Sequence, residues 1–320
     1  MEDAQVTVVG MGLIGTSLGL ALQKVKKNFT IVGHDRDLNV AKEAARLGAI
    51  DRVEWNLISA VEDADMIFLA IPVSGIRDTF QAIAQDLKQG VLITDTASTK
   101  VQVMVWAEEL LPAHVSFVGG DPVVKNAGYG QADASADLFQ ESFYCVVPAT
   151  SADEQSVRVL VQLISSLGAE PYFVDAAEHD GLMAGIGHLP FILSAAMVRT
   201  ATRSPSEKDL KRMAGQEFRN ITAFPSTDPA VFSDVCLTNG DNLVRWIDRI
   251  IAELHDWREL IDTQDAEHLE ELFEDILAAR ARWLGESGIA SSTQNPLDGI
   301  GGGLRSVLFG SLGRPRSREG

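Results

Sequence analysis

The chain has 320 residues, 46% of them hydrophobic, and a formal net charge of −18 at pH 7. Its length predicts two domains with sizeable cores, and its acidity argues against nucleic acid and anionic membranes as partners. Cys145 and Cys236 are too few for a disulfide framework and read as core residues. The opening MEDAQVTVVG has no basic n-region, and no apolar run is expected to reach membrane-spanning length, so a cytoplasmic protein is expected.

Residues 6–9 form an apolar run that reads as a buried strand and leads into Gly10-Met11-Gly12-Leu13-Ile14-Gly15. A helical pattern follows (Leu18, Leu20, Ala21, Leu22, Val25), then a second strand at 29–33 that leads to Asp35. This order matches a dinucleotide fingerprint in its full context. Gly10 permits the tight turn, Gly12 admits a pyrophosphate, and Gly15 lets the helix pack on the strand. The helix start offers free N–H groups and a positive dipole end to the phosphates. Asp35 stands twenty residues after Gly15, where a carboxylate takes both ribose hydroxyls of NAD and repels a 2′-phosphate. Arg36 is positioned to hold such a phosphate, but the expected cofactor is NAD.

Strand-like runs continue at 66–71, 91–94, 115–118, 143–147 and 171–174, with helical segments such as 73–87 and 99–110 between them. That alternation predicts an α/β Rossmann doubly wound parallel sheet, with ligands at the carboxyl ends of strands. Those ends are Gly10, Asp35, Ala70-Ile71-Pro72, Thr94-Asp95-Thr96 and Gly119-Gly120-Asp121. Ala70, Ile71, Pro72 and Thr96 join Leu13 and Ile14 as cofactor-binding candidates.

After Asp175 the pattern is helical only, at 178–203, 229–237, 242–262 and 266–284. The expected division is a dinucleotide-binding domain at 1–174, an all-helical substrate and dimerisation domain at 175–287, and a tail at 288–320. The tail is Gly- and Ser-rich and is expected to be flexible.

The stretches GMGLIGTSLGLAL, TDTASTK (94–100), GGDPVVKNAGYG (119–130), ADLF, EHDGLMAGIGHLPF (178–191) and TDPAVFSDVCLTN (227–239) together resemble the prephenate/arogenate dehydrogenase family over about 6–284. The resemblance implies a Rossmann domain, a dimerising helical domain, and a site in the cleft between them. It implies tyrosine-pathway chemistry: a hydride passes from C4 of a cyclohexadienol to the nicotinamide, a base takes the hydroxyl proton, and carbon dioxide leaves as the ring aromatises. The implied partners are a small-molecule substrate and a second copy of the chain.

On the same resemblance, Gly10, Gly12, Gly15 and Asp35 fall on cofactor positions. Ser98 falls on a serine near the reacting hydroxyl, and His179 and His188 on histidines that face the cleft. The family's catalytic base is the histidine of a Gly-Gly-His-Pro turn, which here reads Gly119-Gly120-Asp121-Pro122. Asp121 is therefore the expected base. The family's HLPH segment ends here in Phe191. Its substrate-binding arginine follows a Phe-Arg-Asp-x-Thr run; here the run is Phe218-Arg219-Asn220-Ile221-Thr222, and Ala223 stands in the arginine's place. Lys125 and Arg219 are candidate replacement cations. Weak or absent activity on prephenate itself is expected.

Plainer roles are open for several of these residues. Ser98 suits a helix N-cap, His179 a structural hydrogen bond near a helix start, and His188 a satisfied buried imidazole. Pro190 is expected to kink its helix. Lys125 reads more readily as a solvated loop lysine, and Arg219 also as an ion-pair partner of Glu217 or Asp228. His34 reads as a strand-end residue, and Trp246 and Trp257 as core or dimer interface. Three functions remain in competition. One is a dehydrogenase of prephenate, arogenate or a 4-amino-4-deoxyprephenate. The second is an NAD-binding, non-catalytic homologue with a regulatory or scaffold role. The third is a Rossmann oxidoreductase of another small acid.

Overall fold

The computed structural model describes residues 4–125, 130–223 and 229–286. Eight strands form one sheet: β1 (Ala4–Val9), β2 (Phe29–His34), β3 (Arg52–Val53), β4 (Met66–Leu69), β5 (Leu92–Asp95), β6 (Ser116–Val123), β7 (Phe143–Pro148) and β8 (Glu170–Phe173). Their order is β3-β2-β1-β4-β5-β6-β7-β8. The chain reverses its winding between β1 and β4, the crevice where doubly wound sheets bind nucleotides.

The helices that cover it are α1 (Leu13–Val25), α2 (Leu38–Arg46), α3 (Leu57–Val61), α4 (Val73–Ile83), α5 (Val101–Leu110) and α6 (Glu154–Ser166). Two apolar clusters pack on the sheet. One includes Val8, Leu22 and Phe68; the other includes Ile67, Phe80 and Phe117. Strands that are apolar throughout, such as Met66–Leu69, are buried along their length, as a sheet covered on both faces requires.

The sheet departs from the all-parallel expectation at one pairing, because β6 and β7 run antiparallel. The consequence reaches the site. β6 was expected to stop at Val118, where its pairing with β5 does end (Thr94↔Val118). The antiparallel ladder with β7 carries it on through Gly119, Gly120, Asp121, Pro122 and Val123. Asp121 therefore lies inside a strand, opposite Cys145, rather than at a strand end. Pro122 is tolerated because β5 no longer flanks this half of β6.

The remaining helices are α7 (Ala176–Met183), α8 (Leu189–Thr202), α9 (Glu207–Met213), α10 (Gln216–Ile221), α11 (Pro229–Thr238), α12 (Gly240–Asp262) and α13 (Ala266–Glu286). A π turn, Ala184–His188, joins α7 to α8. The expected break at Pro190 thus takes the form of a widened turn just before it. α9 and α10 fall where no helix was expected.

The run Ala176–Thr202 spans 27 residues with a mean hydropathy of 1.7 over its most apolar window. This corrects the expectation that no apolar run reaches spanning length. Its polar residues His179, Asp180 and His188 are buried within the folded chain.

The chain divides into two compact units after Arg249. The second holds the end of α12 and α13, where Trp257 meets Phe273 edge to face at 5.0 Å between centroids. Leu254, Ile261, Leu277 and Trp283 are exposed there.

Candidate active site

The nucleotide end of the site begins at the glycines. Gly10 has φ +92°, and a Cβ there would strike the Ala70 carbonyl. A Cβ on Gly15 would strike the Gly10 carbonyl, so loop, helix and β4 close on one another without side chains. Gly12 differs, since a Cβ there would meet nothing within 4 Å. It is exposed, and α1 starts on it with no side-chain cap. Open space above uncapped N–H groups fits a pyrophosphate.

Asp35 is half-buried and accepts hydrogen bonds from Met11 N (2.8 Å) and Asp37 N (2.9 Å), which ties β2 to the glycine loop. Arg36 is exposed beside it. Leu13, Ile14, Ala70, Ile71 and Thr96 are half-buried around the same crevice, and Pro72 starts α4 as an exposed N-cap. His34 is buried, with Nδ1 3.0 Å from the Glu54 carbonyl.

Beyond the nucleotide crevice lies a buried chain of charges. Lys100 and Asp95 are fully buried and form an ion pair. Lys100 Nζ also donates to the Gly120 carbonyl at 2.7 Å, while Asp95 Oδ1 accepts from Gly120 N at 3.1 Å. The pair thus holds the Gly119-Gly120-Asp121 segment from below. Gly120 has to be glycine, because a Cβ there would lie 2.6 Å from the Asp95 carbonyl and 2.7 Å from the Tyr144 hydroxyl.

Next in the chain, His179 bridges two carboxylates. Its Nε2 is 3.1 Å from Asp121 Oδ2 and its Nδ1 2.9 Å from Asp180 Oδ1. Asp180 also accepts from Lys100 N (2.6 Å) and Val101 N (2.9 Å) and so caps α5. Ser98 was a candidate for that cap. Asp180 fills the role, and Ser98 faces the cleft.

Burial alone would lower the His179 pKa; hydrogen bonds to Asp121 and Asp180 outweigh it and raise the pKa to about 10. His179 is therefore an imidazolium at neutral pH. Burial raises the pKa of Asp121, while His179 and Lys100 oppose the rise. A carboxylate raised above its ordinary range is a stronger base than a free aspartate.

These groups close one end of a cleft of about 380 Å³ that Ser98, Asp121 and His188 line together. The rest is apolar. Phe191 and Phe232 stack across it with ring centroids 3.4 Å apart and an interplanar angle of 4°, beside Ile192, Val231 and Val235. His188 is buried, with Nδ1 3.3 Å from Asn239 Nδ2, and burial lowers its pKa to about 4.

Two expected substrate cations are absent from the cleft. Lys125 is half-exposed and sits 3.9 Å from Glu141, the solvated role left open for it. Arg219 is exposed on α10 and does not line the cleft. No lysine or arginine lines it among the described residues. His179 reaches the site through Asp121 rather than by lining the cleft.

Sequence reasoning passed over Asp180, Asn239 and the pairing of Asp95 with Lys100 as site residues. Each lay within a stretch that carried the resemblance; Asp180 and Asn239 pair with distant segments that spacing alone does not join, whereas Asp95 and Lys100 stand only five residues apart.

A doubly wound sheet, an open glycine cradle at its crevice and a buried acid–imidazole chain beside an apolar cleft define a nucleotide-dependent dehydrogenase. The family model "Prephenate dehydrogenase, nucleotide-binding domain" matches residues 18–173, and "Prephenate dehydrogenase, dimerization domain" matches 175–275. The prephenate dehydrogenase of Bacillus subtilis is 34% identical over 271 residues, 84% of this chain and 73% of that protein. The cyclohexadienyl dehydrogenase of Zymomonas mobilis is 27% identical over 86% of this chain and 94% of that protein. The crystal structure of Aquifex aeolicus prephenate dehydrogenase, in complex with hydroxyphenyl propionate and NAD+, superposes with a TM-score of 0.81. It is 25% identical to this chain and covers 88% of it, with 99% of that chain covered in return. The chain belongs to the prephenate/arogenate dehydrogenase family of NAD-dependent oxidoreductases.

Proposed function

We propose that the chain oxidises a cyclohexadienol of the prephenate/arogenate class in the cleft lined by Ser98, Asp121 and His188, with Asp121 as the proton acceptor. The observation that carries this reading is the buried Asp121 carboxylate, hydrogen-bonded to His179 at the polar end of an apolar cleft. Bound NAD would supply the hydride acceptor, held by the Gly10–Gly15 loop and Asp35.

Within this reading the protein's own groups bind, orient and deprotonate. The apolar walls take the ring, and Asp121 takes the C4 hydroxyl proton. The elevated Asp121 pKa then sets the acid limb of the pH profile, with activity rising as that carboxylate ionises. The test is NADH formation from prephenate and from arogenate, each with wild type and with Asp121→Asn, which keeps the shape but removes the base. Turnover by the wild type that is lost in the variant supports the assignment. Equal rates would remove Asp121 from the chemistry.

A second substrate reading rests on charge. Asp95, Asp121 and Asp180 outnumber Lys100 and the His179 imidazolium, which leaves one excess negative charge beside the cleft. Neither 126–129 nor 224–228 contains a lysine or arginine to offset it. That balance favours a substrate bearing an ammonium group, such as arogenate or a 4-amino-4-deoxyprephenate, over dianionic prephenate.

Calorimetric titration should show NAD(H) binding more tightly than NADP(H), because Asp35 holds its negative charge at the glycine loop. Equal affinities would mean that Arg36 governs the ribose site. The exposed apolar residues of the second unit, including Leu254, Ile261, Leu277 and Trp283, suit burial against a second copy. Light scattering is expected to give a homodimer at micromolar concentration, and a monomer would remove that role. A cytoplasmic location without nucleic-acid or membrane partners fits this reading.

A further inference from the structure

We propose that His188 is a neutral hydrogen-bond donor to a substrate oxygen, and that Asn239 is the positioning residue that sets its tautomer. The donor role rests on the dehydrogenase reading above; the tautomer does not.

The argument starts at the Asn239 amide. Its Nδ2 lies 2.7 Å from the Asp180 carbonyl oxygen, which only accepts, so the NH2 group faces that way. Its Oδ1 accepts from Asn242 Nδ2 at 2.8 Å, which agrees with the same orientation. The second hydrogen of the NH2 group points to His188 Nδ1 at 3.3 Å. Nδ1 must therefore present a lone pair, and the single hydrogen of a neutral imidazole sits on Nε2. Nε2 is buried, has no hydrogen-bond partner of ordinary geometry among the described residues, and belongs to a ring that lines the cleft.

A ring in this form cannot take a proton at Nε2. Protonation would have to occur at Nδ1, where Asn239 offers only hydrogens. The ionisable groups around the ring are Asp180 and His179 from α7, Asp121 from β6 and the Cys236 thiol from α11; the Ser98 backbone, before α5, also draws on a ring N–H. Burial is the largest influence and disfavours the cation; Asp180 and Ser98 oppose it, and His179 adds to it. His188 is thus a poor base and a standing donor.

Asp121 and His188 then divide the work on the substrate hydroxyl. Its proton goes to Asp121, its carbon gives up the hydride, and its oxygen receives the Nε2–H. That hydrogen bond strengthens as negative charge builds on the oxygen.

Two measurements test this. The first is the two-bond 1H–15N spectrum of full-length protein labelled with 15N-histidine, with the His188 signals assigned by their absence in His188→Gln. The expected result is an Nε2–H ring that does not titrate between about pH 5 and 8, the range in which an unperturbed imidazole does. In Asn239→Asp the carboxylate should draw the hydrogen to Nδ1 and bring the ring into that titration range. An Nδ1–H ring in the wild type, or one that titrates there, overturns the proposal whatever the substrate.

The second is steady-state kinetics. His188→Gln keeps a donor at similar reach but offers no basic nitrogen, and should retain kcat within about tenfold. His188→Leu should lose about 10²–10³-fold, the effect of deleting such a donor. Equal losses in the two variants overturn the donor role. If no cyclohexadienol is turned over while the ring is Nε2–H, the reading of the activity fails and the donor role with it, but the tautomer assignment stands.

Discussion

Asp121→Asn is expected to lower kcat/KM by about 10²–10⁴-fold, the range for loss of a general base. An asparagine fits the same space and its oxygen can still accept from His179 Nε2, so the fold is kept and the charge alone is removed. A second signature should accompany the rate loss. The His179 pKa near 10 depends on two carboxylates, and with one neutralised it should fall towards the ordinary imidazole value.

Stability then follows by linkage. A histidine whose folded pKa is raised contributes stability that is fully present below its unfolded pKa of 6.5. That contribution fades as pH rises through the folded value of about 10. Wild type should therefore lose stability across that window, and Asp121→Asn should show a shallower loss. Denaturant unfolding at about pH 6 and pH 9, beside the kinetics, checks both parts. A variant with wild-type kcat/KM would place the proton acceptor elsewhere.

The largest effect on stability is expected at Lys100. Lys100→Met removes the cation from a carboxylate that has no exposure to solvent. Breaking one side of such a pair costs about 3–5 kcal/mol, a large share of a typical stability of 5–15 kcal/mol. Asp95 keeps hydrogen bonds from Ala97 N and Gly120 N, which limits the cost without replacing the charge. The double variant Asp95→Asn/Lys100→Met should therefore be more stable than Lys100→Met alone. Urea unfolding of the two variants tests this. A loss below about 1 kcal/mol for Lys100→Met would mean the pair is solvated, as surface pairs are. Activity should suffer too, because Lys100 fixes the Gly120 carbonyl one residue before Asp121.

The glycine loop and its crevice were readable from the sequence because they are local. Gly10, Gly12 and Gly15 lie within six residues, and the strand and helix around them announce themselves by periodicity. The acid–imidazole end of the cleft was readable only in part. Asp121 stood out against a family motif, but the expected strand end proved to be mid-strand. The cause is the antiparallel pairing with β7, whose own sequence does not state its direction. Lys125 was a reasonable substitute cation by proximity along the chain, yet it pairs with Glu141. Asp180 and Asn239 were invisible as site residues because each acts across the fold. Asp180 caps a helix some eighty residues away in sequence, and Asn239 orients an imidazole fifty-one residues away.

The π turn at Ala184–His188 makes the distance along the helix between His179 and His188 a functional quantity. Nine residues of regular α-helix would set the two rings about half a turn apart, on opposite sides of the rod. The wider turn advances less per residue and brings the second ring back towards the first, so that one meets Asp121 while the other lines the same cleft. A spacing of nine residues thus requires the π turn if both rings are to serve one side. Losing one residue between the histidines would let the helix close into regular α geometry, and eight α residues would still leave the two rings only about 80° apart, so the π turn is the way a spacing of nine is made to serve one cleft.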